Sequence, residues 1–283
     1  MFPTAILALD VSEARHTLLD CTPQLLPWGV TRLVLTHVIQ IGHTPAPKWG
    51  QQEYIGGDFQ ELAERLRDRL PGVTVEVVVR ESHRPSDELL SVARDCAADL
   101  IVIGSRSHSM TSSLFLGSFA REVIRRADLP LLVLWLVPTS SPEPGFRSMC
   151  EDMLRKVLLA TDFSHHASAA ERAAEALAQT GAVIDCLHVV QPQMQVTIPR
   201  WSAMARAALS DLLDSLHRAG SRGGKAFIAE GEAAEVIART ASEGDHSMII
   251  LGKHGQNWIE GRLIGGTAVR VSETATRPVL IAP

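Results

Sequence analysis

The sequence predicts a parallel α/β fold built twice in one chain. Apolar runs of strand length alternate with amphipathic segments of helix length. A glycine-rich turn follows the fourth strand of each half, and the whole pattern restarts after a Pro- and Ser-rich stretch. At 283 residues the chain is long for one domain and comfortable for two of about 140 residues. With 46% hydrophobic and 21% charged residues, each half has enough apolar surface for its own core.

Residues 5–9 form a continuous apolar run ending at Asp10, Val11 and Ser12, the pattern of a buried parallel strand entering a helix N-cap. A helix over 13–26 follows, closed by Pro27 and Gly29. A second buried strand is expected at 33–38, with His37 and Val38 at its end. Residues 40–57, rich in Pro, Gly and polar groups, read as a long loop before a helix over 58–70 that stops at Pro71 and Gly72. Residues 73–80 alternate as a third strand, 86–97 form a helix and 100–103 the fourth strand. Beyond the glycine-rich turn come a helix over 118–127 and a fifth strand over 131–136.

From Pro138 to Gly145 the chain lacks periodicity and reads as a linker. The first domain is therefore assigned to 1–138, the linker to 139–153 and the second domain to 154–283. The second domain repeats the first. A strand over 156–161 ends in Asp162, and an Ala-rich helix runs to Gln179. A strand over 183–190 holds His188 and Val189. Helices are expected at 201–219, 232–242 and 267–274, and strands at 225–229, 248–251 and 278–281. Asp10 and Asp162 lie 152 apart, His37 and His188 151, and both Gly104/Gly252 and Gly117/Gly265 148. A register held across a whole domain marks a duplication.

Several function classes are excluded. A net charge of −5 without a basic stripe argues against a nucleic-acid partner. The longest apolar run, 129–137 around Pro130, is too short to cross a bilayer, so no membrane association is expected. The N-terminus has no basic segment and meets Asp10 at once, as a first strand rather than a signal peptide. Cys21, Cys96, Cys150 and Cys186 form no CxxC pair, so the expectation is neither a disulfide framework nor a thiolate metal site, in a reducing cytoplasm. Catalytic signatures such as GxGxxG, GxSxG and HExxH are absent. Residues 220–225 imitate a Walker loop, but with three residues between the glycines and Ala226 where Ser or Thr would bind magnesium.

The functional weight falls on the two glycine-rich turns: Gly104, Ser107, Gly117 and Ser118 in the first half, and Gly252, Gly255, Gly265, Gly266 and Thr267 in the second. A glycine turn between a buried strand and a helix lets the backbone approach an anion, which the helix N–H groups and dipole then stabilise. One such turn would be plain loop chemistry; two at matched spacing point to a phosphate cradle. Asp10 and Asp162 serve equally as N-caps, and His37 and His188 read as hydrogen-bonding residues at strand ends.

The spacing Gly-x2-Gly-x9-Gly-(Ser/Thr), the Asp ending the first strand, the His-Val ending the second and the short apolar last strand together resemble the universal stress protein family in its tandem-domain form. The resemblance covers nearly the whole chain except the linker. It implies an α/β fold with a five-stranded parallel sheet per domain in the order 3-2-1-4-5, flanked by helices. Some members bind adenine nucleotide and others do not. That order places a ligand crevice between strands one and four. By the resemblance, Asp10 and Asp162, with the main chain at Val38 and Val189, hold the adenosine of ATP or a related adenine nucleotide. The glycine turns with the Ser118 or Thr267 hydroxyl hold the phosphates, with or without magnesium.

Two departures bear on this. Ser107 stands where the second glycine would be, and Gly266 displaces Thr267 by one position. A missing glycine blocks close backbone approach, whereas a displaced hydroxyl loses about one hydrogen bond, so the C-terminal crevice is expected to be the better cradle. The family's last strand commonly pairs domains, so the two halves are expected to pair within the chain, with homodimerisation open. The implied function is nucleotide binding in a stress-response or signalling role with at most slow hydrolysis. The alternative is an interaction or scaffold protein with degenerate sites, acting through partner surfaces or another small ligand.

Overall fold

The structure, a computed structural model, describes residues 1–42, 51–106, 116–139, 146–190, 201–255 and 266–283. The first half holds β1 (Thr4–Ala8), β2 (Arg32–Gln40), β3 (Thr74–Ser82), β4 (Leu100–Arg106) and β5 (Leu131–Pro138), all parallel in the order β3-β2-β1-β4-β5. After a short β6 (Phe146–Ser148) come β7 (Lys156–Ala160), β8 (Val183–Val190), β9 (Ala226–Glu230), β10 (Met248–Gly252) and β11 (Val279–Ala282). These repeat the order as β9-β8-β7-β10-β11.

The two sheets are continuous. β5 and β11 pair antiparallel, with Val133 opposite Val279, Leu132 opposite Leu280 and Leu131 opposite Ile281. All six side chains are buried, so the pairing removes two apolar edges that would otherwise invite aggregation. The expected intrachain pairing of last strands is thus present. β6 was not expected; it pairs antiparallel with the far end of β5, from Leu136 to Pro138.

Helices α1 (Ala14–Asp20) and α2 (Gln51–Arg69) cover one face of the first half, and α3 (Pro85–Asp95) and α4 (Ser118–Arg126) the other. In the second half α5 (Ser168–Ala178) and α6 (Trp201–Ala219) face α7 (Ala233–Glu243) and α8 (Gly266–Thr274) across the sheet. Ile6 belongs to one core and Leu7 to the other. Both sheet faces are covered, which is why the strands read as continuous apolar runs.

Two helices differ from expectation. α1 stops at Asp20 and gives way to a 3-10 helix over Thr22–Trp28. Pro23 disfavours the α conformation in the residue before it, and Pro27 supplies no donor. α2 begins at Gln51, so Gly56 and Gly57 are helical rather than loop. Ile55, Phe59, Leu62, Ala63 and Leu66 make one buried stripe, and that burial outweighs the cost of about 1 kcal/mol per helical glycine.

The expected absence of disulfides is corrected. Cys21, just past α1, is bonded to Cys150, just past β6, across 129 residues. Partners so distant leave no local motif in the sequence. Beside the bond, the Thr17 hydroxyl donates to the Phe146 carbonyl at 3.1 Å, so α1 is tied to the segment between the halves. Cys186 remains a free thiol, pushed up to about 12 by burial and by the charges of Asp185 and Glu171. Among the described residues no helix is long and apolar enough to cross a membrane.

Closing a loop of this length restricts the unfolded chain by about 3–5 kcal/mol. Cys150→Ser is expected to lower the unfolding free energy by that order in urea titrations, and dithiothreitol to do the same to the wild type. Superimposable curves with and without the bond would show that it adds no stability.

Candidate nucleotide site

β1 and β4 are neighbours, but β1 leads to α1 on one face and β4 to α4 on the other, so the chain parts at their carboxyl ends. In the first half this point holds a cavity of about 680 Å³. Asp10, Val38, Gly104, Gly117 and Ser118 all line it, together with the His83–Ser86 connection from β3 to α3. Gly117 is the N-cap of α4 and has no side-chain cap. Its neighbours through Ala120 bring the first turn of that helix, with its unpaired N–H groups, to the cavity wall. Among the described residues a Cβ on Gly117 would meet nothing within 4 Å, whereas one on Gly104 would lie 2.7 Å from Leu18 Cδ1. Gly104 is therefore required by the packing of α1 on β4, and Gly117 leaves open space.

Asp10 is fixed by its own turn: its Oδ1 accepts from the Ser12 N–H at 3.0 Å and the Ser12 hydroxyl at 2.6 Å. His37 Nδ1 bonds the Leu9 carbonyl at 2.8 Å, and its ring lies 5.6 Å from that of Phe59. Val11, the residue after Asp10, is 55% exposed. Two further lining residues are polar and buried: Thr36 at 1% and Ser105 at 3% exposure. Neither hydroxyl has a hydrogen-bond partner among the described residues. A buried hydroxyl left unpaired costs about 1–3 kcal/mol.

The counterpart in the second half is arranged differently. Asp162 Oδ1 accepts from the Ser164 N–H at 3.0 Å, as in the first half. A Cβ on Gly255 would lie 2.7 Å from Asp162 Oδ2, so the chain after β10 runs directly against the carboxylate. Phe163, in place of Val11, adopts φ 58. That left-handed backbone costs a bulky residue about 1–2 kcal/mol, and packing holds it there: its ring lies 4.8 Å from that of His188. Trp201 Nε1 donates to His188 Nε2 at 3.1 Å, while His188 Nδ1 faces the Thr161 carbonyl at 2.9 Å. Nε2 accepts, so the ring is neutral with its proton on Nδ1. Burial lowers the His188 pKa, against the Thr161 bond and the Asp162 charge.

Two side chains of the turn after β10 are engaged in packing of their own. Lys253 Nζ donates to the Ala127 carbonyl at 2.8 Å, at the C-terminal end of α4 where a cation is favoured. With the ion pair of Arg121 and Glu273 at 2.7 Å, it braces the two halves. Burial lowers the Lys253 pKa, with Asp128 opposing. Burial and the charges of Lys253 and His166 likewise hold His254 below the ordinary imidazole range. Its ring packs edge-on against His166 at 5.8 Å, so His166 is part of this packing, while His165 is exposed.

Of the remaining candidate residues, Val189 lies near the end of β8, Gly252 ends β10, and Gly266 and Thr267 open α8. Ser107 and Gly265 lie outside the described residues. Gly252 is tightly packed: a Cβ there would sit 3.1 Å from the carbonyl oxygens of His166 and His254. Thr36, Ser105 and the His83–Ser86 connection were missed from the sequence. Thr36 is a polar residue inside an apolar strand, and the connection after β3 leaves the sheet at the crevice end; both signals were present.

The sequence model of the universal stress protein family matches residues 1–134 and 153–283. A universal stress protein of Thermus aquaticus is 32% identical over 146 residues, which is 47% of this chain and 99% of that protein. One from Mycobacterium tuberculosis is 22% identical over 276 residues, 93% of this chain and 89% of its own length. Among solved structures, a universal stress protein from Archaeoglobus fulgidus superposes with a TM-score of 0.76 at 20% identity, over 99% of this chain and 98% of that one. Another from Pseudomonas aeruginosa gives 0.70 at 16%, over 99% and 93%. Two family matches, one per half, on two sheets of the same strand order mean that the chain belongs to the universal stress protein family.

Proposed function

We propose that this chain binds ATP or a related adenine nucleotide in the N-terminal crevice and serves a stress-response or signalling role, with at most slow hydrolysis. The carrying observation is the 680 Å³ cavity that Asp10, Val38, Gly117 and Ser118 all line. Asp10 and the main chain at Val38 suit the adenosine, and the first turn of α4 suits the phosphates. Magnesium would arrive with the nucleotide, since no cluster of three or more His, Cys, Asp and Glu converges among the described residues. A cytoplasmic location goes with this reading, the disulfide being buried and so shielded from thiol exchange.

For the C-terminal half we favour the alternative role. Phe163 and Trp201 pack on His188, and the chain at Gly255 lies on Asp162, which supports a bracing and interaction domain rather than a second nucleotide site. This reverses the preference drawn from glycine spacing alone.

Calorimetric titration is expected to show one ATP per chain. Gly117→Val, whose side chain enters open space, should abolish binding with the fold intact, and Thr267→Val should leave affinity unchanged. Absence of binding heat at millimolar ATP would favour the interaction protein, and two ATP per chain would refute the division between halves.

The packing around His188 depends on a neutral ring. Its folded pKa is lowered from the ordinary value of about 6.5. The folded state therefore binds fewer protons than the unfolded state as pH falls below that value. Its stabilising contribution is complete above about pH 6.5 and is lost on acidification through the folded pKa. Melting temperatures between pH 8 and pH 5 should decline, and less steeply in His188→Gln. Identical slopes would show that His188 does not carry the effect.

A further inference from the structure

We infer that Thr36 and Ser105 are ligand-contacting, specificity-determining residues of the N-terminal crevice, an inference that rests on the nucleotide reading above. Both line the cavity, both are nearly inaccessible to solvent, and both hydroxyls lack a partner among the described residues. A hydroxyl withdrawn from water and given no internal partner is a standing cost to the empty protein. It becomes an asset only when something polar enters the cavity. Because a hydroxyl both donates and accepts, it suits the mixed donors and acceptors of a base edge or a sugar.

Their placement assigns them to different parts of one ligand. Thr36 pairs across to Ala8 on β1, and Ala8 to Ile103 on β4. Ser105 lies two residues beyond Ile103 on the far side of β1. Two strand spacings and two residues along the strand separate their Cα atoms by about 12 Å. A single planar base does not bridge that distance; a nucleotide running from base through sugar to phosphate does. Thr36 shares its strand with Val38 and Gln40, at the adenosine side of the cavity. Ser105 stands beside the first turn of α4, at the phosphate side.

The duplication supplies an internal control. Leu187 faces Ala160 in β7 and β8 as Thr36 faces Ala8, and Lys253 follows Gly252 as Ser105 follows Gly104. Neither hydroxyl occurs at the matching positions of the second half: Leu187 is buried in the core, and Lys253 donates to the Ala127 carbonyl. The two hydroxyls therefore belong to the first half alone and are not demanded by the strand framework, which both halves share.

The test is ATP titration calorimetry on the wild type, Thr36→Val, Thr36→Ser and Ser105→Ala, with melting temperatures recorded with and without ATP. Thr36→Val and Ser105→Ala are each expected to weaken ATP binding about five- to tenfold. The ligand-free proteins should melt at the wild-type temperature or above it, since an unpaired buried hydroxyl has been removed. Thr36→Ser, which keeps the hydroxyl, should bind within about twofold of wild type. If the wild type binds ATP and both hydroxyl deletions bind equally well, the assignment is wrong while the nucleotide reading stands. Lower melting of the ligand-free variants with unchanged affinity would make the residues structural and overturn it as well. A wild type that binds no ATP removes the nucleotide reading, and this assignment with it.

Discussion

The antiparallel contact between β5 and β11 is the constraint on which the rest of the molecule depends. Each half ends its sheet in an apolar strand, and over Leu131–Val133 and Val279–Ile281 the two outer edges satisfy each other, with β6 covering β5 further along. Everything near the pseudo-twofold follows from that contact. α4 and α8 are brought close enough for Arg121 to meet Glu273, and Lys253 reaches the carbonyl at the end of α4. Lys253, in the glycine-rich turn after β10, is thereby drawn into holding the halves together.

The two crevices share a topology and differ in the side chains beside them. Both carry the aspartate turn after the first strand and the histidine tied back to the main chain. The difference lies in a few side chains. Val11 points into solvent where Phe163 folds inward in a left-handed conformation, and Thr36 and Ser105 stand where Leu187 and Lys253 do in the other half. Fold-level likeness says where a ligand site lies, and only the side chains say whether space remains for one.

The sheet was legible because buried parallel strands are written as apolar runs and because duplication provides two readings of each element. The strand order came from the family resemblance and not from periodicity. α2 was cut short because Gly56 and Gly57 read as loop, while the stripe from Ile55 to Leu66 decided otherwise. The Cys21–Cys150 bond was invisible, since its partners meet only after a whole domain has folded. Within the site, glycine spacing pointed to the turns after β4 and β10, and packing adds a reason for the glycines that spacing does not carry. Gly104 and Gly252 are small because neighbouring side chains and carbonyls press on them. The unpaired hydroxyls could not be weighed until burial was known.

Joining the halves by a strand contact inside one chain also changes what a single substitution does. In a dimer of identical subunits every replacement is made twice, so a phenylalanine packed beside one crevice is packed beside both. Here Phe163 occurs once, and its counterpart is free to remain Val11. Covalent tandem arrangement therefore breaks the twofold symmetry that the sheet itself preserves. Each copy of a duplicated architecture becomes free to change without the other.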